Sequence, residues 1–289
     1  MTRCLAFLFA LMLATLSVAS ACTASGPDWV QFTLDQQRGS DEIRASFERE
    51  GLGRSNSNWS TNFAPRQMTA LDMAGFRATG SRALNFAVIR EAGRLDCAGQ
   101  GGNSHATGNC RFTPDEAFTK LLESRGIGRP TADESFSLVA TDVRRELIDA
   151  IAQAKYPTPR IDDLVSLSAL GVNGDYIRGL SAIGYRPDRI DTLVQFKALD
   201  ITPAYVSGFT RIGYRNLDPD DLVELKALNI TPDYIAGFQR LGYRDLTPDR
   251  LVELKAVGIT PEFVAAVRAP GSTPSVSDLV DQKVTGHRR

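Results

Sequence analysis

The sequence is poor in the residues that most often carry chemistry. It holds two histidines, His105 and His287, and four cysteines, of which Cys4 lies in the apolar N-terminus. Zinc sites need clustered histidine, cysteine or carboxylate ligands, and no such cluster is evident. Neither an H-E-x-x-H motif nor a G-x-S-x-G nucleophile elbow occurs. We therefore predict no catalytic residue, no metal site and no cofactor, and thus no enzyme.

An excess of positive charge is also missing. The formal net charge is −1, from 33 Lys and Arg against 34 Asp and Glu. Because phosphate binding needs a basic surface, this balance predicts no nucleic-acid partner and no attraction to an anionic membrane. After the N-terminus no apolar run is long enough to span a bilayer.

The one long apolar run is at the N-terminus. Arg3 precedes LAFLFALMLATLSV, and the small residues Ala19-Ser20-Ala21 follow. This order is typical of a secretory signal peptide. We predict a signal over 1–21, a tether over 22–27, and an exported protein of the periplasm or cell envelope. Cys22 follows the cleavage point, and two interpretations stay open: lipid attachment, which would anchor the protein to a membrane, or a bystander of ordinary cleavage.

Export also bears on the remaining cysteines. An oxidising compartment favours a disulfide between Cys97 and Cys110. The alternative is a nucleophilic Cys97 assisted by His105, which would need a free thiol and a third, orienting group. The predicted compartment favours the disulfide.

Residues 28–112 form a first region in which apolar and polar side chains alternate. The alternation occurs in VQFTLD (30–35), in IRASFE (43–48), and around Trp59 and Phe86. A period of two predicts half-buried strands. We expect an antiparallel sheet or partial barrel of five or six strands, with a Gly-rich loop over 99–108 and a short helix near 67–74.

The second half of the chain repeats itself every 29 residues. The same step separates Tyr156, Tyr185, Tyr214 and Tyr243, the arginines Arg186, Arg215 and Arg244, and the lysines Lys197, Lys226 and Lys255. A fixed period of this length predicts a repeat architecture over 113–268. The half-copy at 113–128 aligns only when two residues are inserted. The tail, 269–289, contains an eroded half-unit.

Each repeat unit is predicted to contain two short helices. In the third copy, Asp218 caps the first helix and Asn229 ends it, while Thr231 caps the second and Gly242 ends it. Glycine, asparagine and aspartate tolerate the left-handed conformation common at helix ends. Helices of this length are marginal alone in water, so successive units must cover one another's apolar faces. The predicted fold class is α+β: a small antiparallel β domain followed by an α-solenoid-like helical array.

Two segments carry a resemblance to a known group of proteins. LTPDRLVELKAVGITPEF (246–263) and GITPEFVAAVRA (258–269) resemble the helical repeats of exported bacterial proteins, which also occur beyond the membrane segment of some antirepressor-type sensor metallopeptidases. FAVIREAGRLDCAG (86–99), followed by NCRFTPDEAF (109–118), is similar to the β domain that often precedes those repeats. The resemblance implies the same two-part order over 83–268. Since H-E-x-x-H is missing, it implies no peptidase activity.

These patterns lead to an expected function. We expect a non-enzymatic, exported protein of the bacterial cell envelope whose array presents a continuous face to a protein or peptide partner. The arginine and lysine ladders are the candidate binding face, although solvation and helix capping also explain such charges. Two alternatives remain: a small-ligand or enzymatic module in the β domain near 99–108, using His105, or a structural spacer without a saturable partner.

Overall fold

The computed structural model of the protein describes residues 29–50, 56–269 and 271–286. The predicted signal and tether, Cys22 and His287 lie outside these ranges. Within them, no helix is both long and apolar enough to cross a bilayer.

Six strands form one antiparallel sheet. They are β1 (Trp29–Asp35), β2 (Ile43–Glu50), β3 (Asn56–Phe63), β4 (Arg82–Arg90), β5 (Gly93–Gly102) and β6 (His105–Pro114). The strand order is β3-β2-β1-β6-β5-β4. The period-two pattern is confirmed in β1, where Val30, Phe32 and Leu34 are buried and the alternate residues face outward.

The sheet curls so that its two edge strands approach each other. Arg90 ends β4 at one edge, yet its guanidinium lies 4.8 Å from the ring of Trp59 in β3, at the other edge. The connection after β3 contains a 3-10 helix, Pro65–Gln67, and then pairs Thr69 with Ala87 on β4. It is followed by α1 (Met73–Arg77), so the single helix predicted near 67–74 is wrong in its bounds.

The Gly-rich loop predicted over 99–108 is also wrong. These residues form the ends of β5 and β6, and only Asn103 and Ser104 make the turn. Both adopt positive φ, 55° and 63°, as a two-residue hairpin of type I′ requires. The prediction was wrong because it took the glycines of 99–108 as a sign of a loop.

Two of these glycines instead make room for an aromatic ring. Gly99 and Gly108 pair with each other across β5 and β6. A Cβ on Gly99 would lie 2.9 Å from the Phe32 ring, and one on Gly108 would lie 2.8 Å from it. The glycines therefore belong to the core packing of the sheet.

Twelve helices follow the sheet within the described residues. They are α2 (Glu116–Ser124), α3 (Ala132–Ala140), α4 (Arg145–Gln153), α5 (Ile161–Ala169), α6 (Gly174–Ala182), α7 (Ile190–Ala198), α8 (Pro203–Arg211), α9 (Pro219–Ala227), α10 (Pro232–Arg240), α11 (Pro248–Ala256), α12 (Pro261–Val267) and α13 (Val276–Thr285). From α3 onward each helix packs mainly on the helix two places along, so α3, α5, α7, α9, α11 and α13 form one layer, here called the odd layer. The helices α4 to α12 with even numbers form the second, even layer. The predicted α+β architecture, a sheet followed by a helical array, is present.

The 29-residue step continues unbroken into the half-copy at 113–128. Helix α2 starts at Glu116, 29 residues before α4 starts at Arg145. No insertion is therefore needed in 113–128. In α2, Thr119 and Leu122 are buried at the positions that Ile148 and Ile151 occupy in α4. The two helices therefore match in their buried positions, although the residue types at these positions differ.

The predicted helix ends are confirmed by the backbone. The residues after the odd helices, Asp142, Gly171, Asp200, Asn229 and Gly258, all have φ between 52° and 73°. At the start of α10 the Thr231 hydroxyl accepts a hydrogen bond from the Tyr234 N–H, as predicted. Asp218 occupies the cap position of α9, but its side chain makes no capping hydrogen bond there.

The last odd helix differs from the others in its buried positions. In α11 both Leu251 and Leu254 are fully buried. In α13, Leu279 is buried, but Gln282 stands where the second leucine would be and Val284 is 70% exposed. Helix α13 therefore buries less apolar surface in the odd layer than α11 does.

Candidate functional site

The lysine ladder lies in the packing between successive units. The Nζ atoms of Lys197, Lys226 and Lys255 are 5.1, 4.8 and 4.7 Å from the ring centres of Tyr176, Tyr205 and Tyr234. In each pair the lysine is on an odd helix and the tyrosine is on the preceding even helix. Cation–π contacts of this kind contribute about 0.5–1 kcal/mol each. The lysines therefore join neighbouring units and are half-buried.

The same tyrosines connect the units a second time. The hydroxyls of Tyr176, Tyr205 and Tyr234 donate to the carbonyls of Ile201, Ile230 and Ile259, at 2.6, 2.8 and 2.6 Å. Each acceptor is 25 residues further on, in the next unit. Burial raises the pKa of each of these hydroxyls above its usual value.

The arginine ladder occupies a different place. Arg186, Arg215 and Arg244 are exposed, in the turns that follow α6, α8 and α10. Arg186 donates to the carbonyl of Lys155 at 2.9 Å and lies 5.7 Å from the ring of Tyr156. Of the two predicted ladders, only the arginines form an exposed row of charge.

A groove lies between the even helices α4 and α6, beside Arg186. Its volume is about 600 Å³, and four small residues, Ala150, Ala154, Ser181 and Ala182, with Ile177, supply most of its floor. Lys155, Arg178, Arg186, Gln153 and Gly184 complete the lining. The lining contains three cationic side chains and no carboxylate.

The groove coincides with departures from the repeat. Further along the even layer, the Gln239 amide donates to the Ile212 carbonyl and Arg268 donates to the Leu241 carbonyl, both at 2.9 Å. At the matching place in α6 the chain has Ser181, which is too short to reach across and instead bonds the Ile177 carbonyl in its own helix. Thr210 of α8 is short as well, so the long side chain is a feature of the later copies, and between α4 and α6 the space that Gln239 fills in α10 is open.

A second departure concerns how closely the helices approach. A Cβ on Gly179, Gly208 or Gly237 would lie 3.0, 2.7 or 2.5 Å from the Cγ of a proline in the next even helix, Pro203, Pro232 or Pro261. The matching residues of the α4–α6 pair are Ala150 and Gly174. Here the proline of the pair is missing.

The third departure is Lys155 itself. It follows α4 with φ 58°, whereas the matching residues Gly126, Gly184, Gly213, Gly242 and Gly271 are all glycines with positive φ. A left-handed conformation costs a residue with a Cβ roughly 1–2 kcal/mol. A lysine is therefore held at this edge of the groove in a conformation that favours glycine.

The β domain offers less for chemistry. Cys97 and Cys110 lie opposite each other in β5 and β6 and form a disulfide, so Cys97 has no thiol. His105 Nδ1 lies 2.7 Å from Asp35 Oδ1, and both side chains are more than half exposed. Over the described parts of the chain, no three His, Cys, Asp or Glu residues are grouped as a metal site would need.

The groove was not predicted from the sequence, although a signal for it exists. Aligning the copies by 29 residues shows a lysine in a glycine column and a serine in a column that later holds Gln239 and Arg268. The alignment does not show that Lys155 and Ser181 line the same groove; the fold does.

Comparison with protein-family models, with curated proteins and with solved structures finds no match to this chain.

Proposed function

We propose that this chain is a non-enzymatic, exported protein of the bacterial cell envelope whose helical array binds a protein or peptide partner. The N-terminal signal pattern supports export, and the repeat supports a binding surface. Arrays of stacked helices form extended surfaces whose curvature follows from the rotation between units.

The arginine row is the observation that carries the proposal. Tyrosine, lysine and proline positions are used to join the units, whereas Arg186, Arg215 and Arg244 recur at the same step on an exposed edge. Arginine is enriched at protein interfaces because its guanidinium binds carboxylates with two parallel hydrogen bonds. A rigid row of arginines suits a partner with regularly spaced acidic groups.

The test is affinity capture from a bacterial envelope extract, with mass spectrometry of the bound proteins. The mature protein from Cys22 onward is immobilised, and capture must saturate and be competed by the free protein. We expect the triple variant Arg186→Glu, Arg215→Glu and Arg244→Glu to lose at least 90% of the captured partner, on the order of a tenfold weakening. Circular dichroism should stay unchanged and the Tm should fall only slightly, because the three side chains are exposed, although Arg186 gives up its hydrogen bond to the Lys155 carbonyl.

A matched control reverses the same number of charges on the sheet. Arg44, Arg94 and Arg111 are exposed on its outer face. Changing all three to Glu should leave capture within twofold of wild type. Capture that survives the ladder variant but is lost in the sheet variant would assign binding to the β domain and contradict the proposal. No saturable partner for any variant would favour the envelope spacer.

A further inference from the structure

We propose that the groove between α4 and α6 binds an acidic peptide segment that also carries an aliphatic side chain. This inference rests on the binding function proposed above and names the place and the chemistry of one contact. Four observations support it.

The first observation is the apolar floor. Ala150, Ala154, Ile177 and Ala182 line the groove, and the volume of about 600 Å³ exceeds that of one large aliphatic side chain. Small residues at these positions leave apolar surface that one inserted side chain would cover. Covering apolar surface is the general driving force for such insertion.

The second observation is the charge on the rim. Arg178 forms ion pairs with Glu146 and Asp175, at 2.6 and 2.8 Å, so its charge is balanced. Lys155 and Arg186 form no ion pair with any residue that the structure describes; Arg186 instead contacts a carbonyl and a ring. Two uncompensated cations beside an apolar floor match a carboxylate next to an aliphatic residue.

The third observation is that Lys155 stands against its own backbone preference. Glycine occupies this position in the neighbouring copies and would relieve the left-handed conformation. Strained residues persist where the surroundings or a function require their side chain. Here the side chain stands at the rim of the groove.

The fourth observation is that two departures from the later copies meet at one place. The pair of small residues Ala150 and Gly174 and the left-handed Lys155 belong to α4, α6 or the turn after α4. Ser181 adds a short side chain on α6, in a column that is also short in α8, where it holds Thr210. Small side chains and two cations therefore surround one opening between α4 and α6.

The probe is a phage-displayed library of random dodecapeptides, panned on the mature wild-type protein. We expect the selected peptides to be enriched in Asp and Glu beside Leu, Ile or Val. One selected peptide is then synthesised with a fluorescein label and titrated by anisotropy. Lys155→Gly and Arg186→Ala should each weaken binding about tenfold, the effect of losing one charge-assisted hydrogen bond.

Two controls separate binding from folding. Arg44→Ala removes an exposed arginine on the outer face of the sheet and should change the Kd by less than twofold. Lys155→Gly relieves a left-handed conformation, so its Tm should not fall while its binding does. A loss of affinity together with an unchanged or higher Tm cannot be a loss of structure.

The inference is overturned if panning yields no acidic enrichment, or if the selected peptides bind Lys155→Gly and Arg186→Ala as tightly as wild type. This failure differs from failure of the proposed function. If the double variant Lys155→Gly, Arg186→Ala keeps the envelope partner that the ladder variant loses, the groove is not the contact and the arginine row still is.

Discussion

Single hydroxyl groups join three of the even helices, α6, α8 and α10, to the unit that follows. Tyr176, Tyr205 and Tyr234 donate to carbonyls of the next unit, and Phe263 takes the corresponding position in α12. Its ring still contacts a lysine, since Lys283 Nζ lies 4.6 Å from the ring centre. In these tyrosines the ring contacts a lysine and the hydroxyl bonds a carbonyl, and Phe263 shows that the ring contact can occur without the hydroxyl.

Removing one of these hydroxyls should destabilise the array. In Tyr205→Phe the ring contact with Lys226 stays, whereas the Ile230 carbonyl loses its donor. We expect a loss of about 1–2 kcal/mol in the free energy of unfolding, measured by urea denaturation. Val284→Ala is the control, because this side chain is 70% exposed, and it should change stability by less than about 0.5 kcal/mol. If the free energy of unfolding of Tyr205→Phe equals that of wild type, the hydrogen bond to the Ile230 carbonyl does not contribute to stability.

Tyrosine burial also predicts the response to high pH. Burial raises the pKa of Tyr156 to about 12, and it raises the pKa of Tyr176, Tyr205 and Tyr234 as well. The unfolded value is about 10. A raised folded pKa means stability that is complete below about pH 10 and lost as the pH rises through the folded value.

We therefore expect the Tm to be flat from pH 8 to about 9.5 and to fall steadily above about pH 10. Calorimetry across this range measures it. The Tyr205→Phe variant has one tyrosine with a raised pKa fewer, so its Tm should fall less steeply with pH than that of wild type. A Tm that is flat to about pH 11.5, or that falls with the same slope in both proteins, would contradict the assignment to these tyrosines.

At the scale of elements, spacing between the even helices depends on pairs of residues. Gly208 lies where α8 meets Pro232 of α10, and a Cβ there would come within 2.7 Å of the ring. Alanine normally stabilises a helix interior by roughly 1 kcal/mol relative to glycine. Overpacking costs about 1–3 kcal/mol, so the clash should decide the sign.

We expect Gly208→Ala to lower the free energy of unfolding by about 1–2 kcal/mol. Adding Pro232→Ala should restore most of it, because the atoms that clash are removed. A double-mutant cycle by urea denaturation measures the coupling. The α4–α6 pair, which has Ala150 and Gly174, already contains such a combination. A stabilising Gly208→Ala would mean that the helices separate without cost.

How far the sequence predicts these elements depends on whether their causes are local. Asn229 and Gly258 end their helices by their own backbone preference, so the 29-residue pattern was sufficient to predict them. Gly99 and Gly108 are glycines because a ring from another strand lies over them, and that contact has no local signal. The groove likewise depends on whether Ser181 reaches a carbonyl of a neighbouring helix.

At the scale of the whole molecule, α3 joins the sheet to the array. Buried Arg49 of β2 pairs with Asp133 in the first turn of α3, and Arg90 of β4 donates to the Val139 and Ala140 carbonyls at its last turn. A cation at a helix C-terminus and a carboxylate at its N-terminus both agree with the helix dipole. Burial lowers the pKa of the Arg90 guanidinium, but arginine stays charged.

Replacing Arg90 should loosen the joint between the two parts. In Arg90→Ala the two carbonyls of α3 lose a donor, and Trp59 loses the cation over its ring. We expect a loss of about 2–4 kcal/mol and faster amide exchange in α3. Exposed Arg94, on the adjacent strand, is the control and should cost less than about 0.5 kcal/mol as Ala. Unchanged exchange in α3 would show that its contact with the sheet does not depend on Arg90.

The fixed step of the array has a consequence for its history and for engineering. From α3 onward each helix packs mainly on the helix two places along, and the same close glycine–proline contact recurs at three successive joints. A duplicated stretch of 29 residues, such as 203–231, would bring both halves of every joint with it. The length of this protein can therefore change in whole cassettes, by unequal recombination or by cloning, without any residue elsewhere having to adapt.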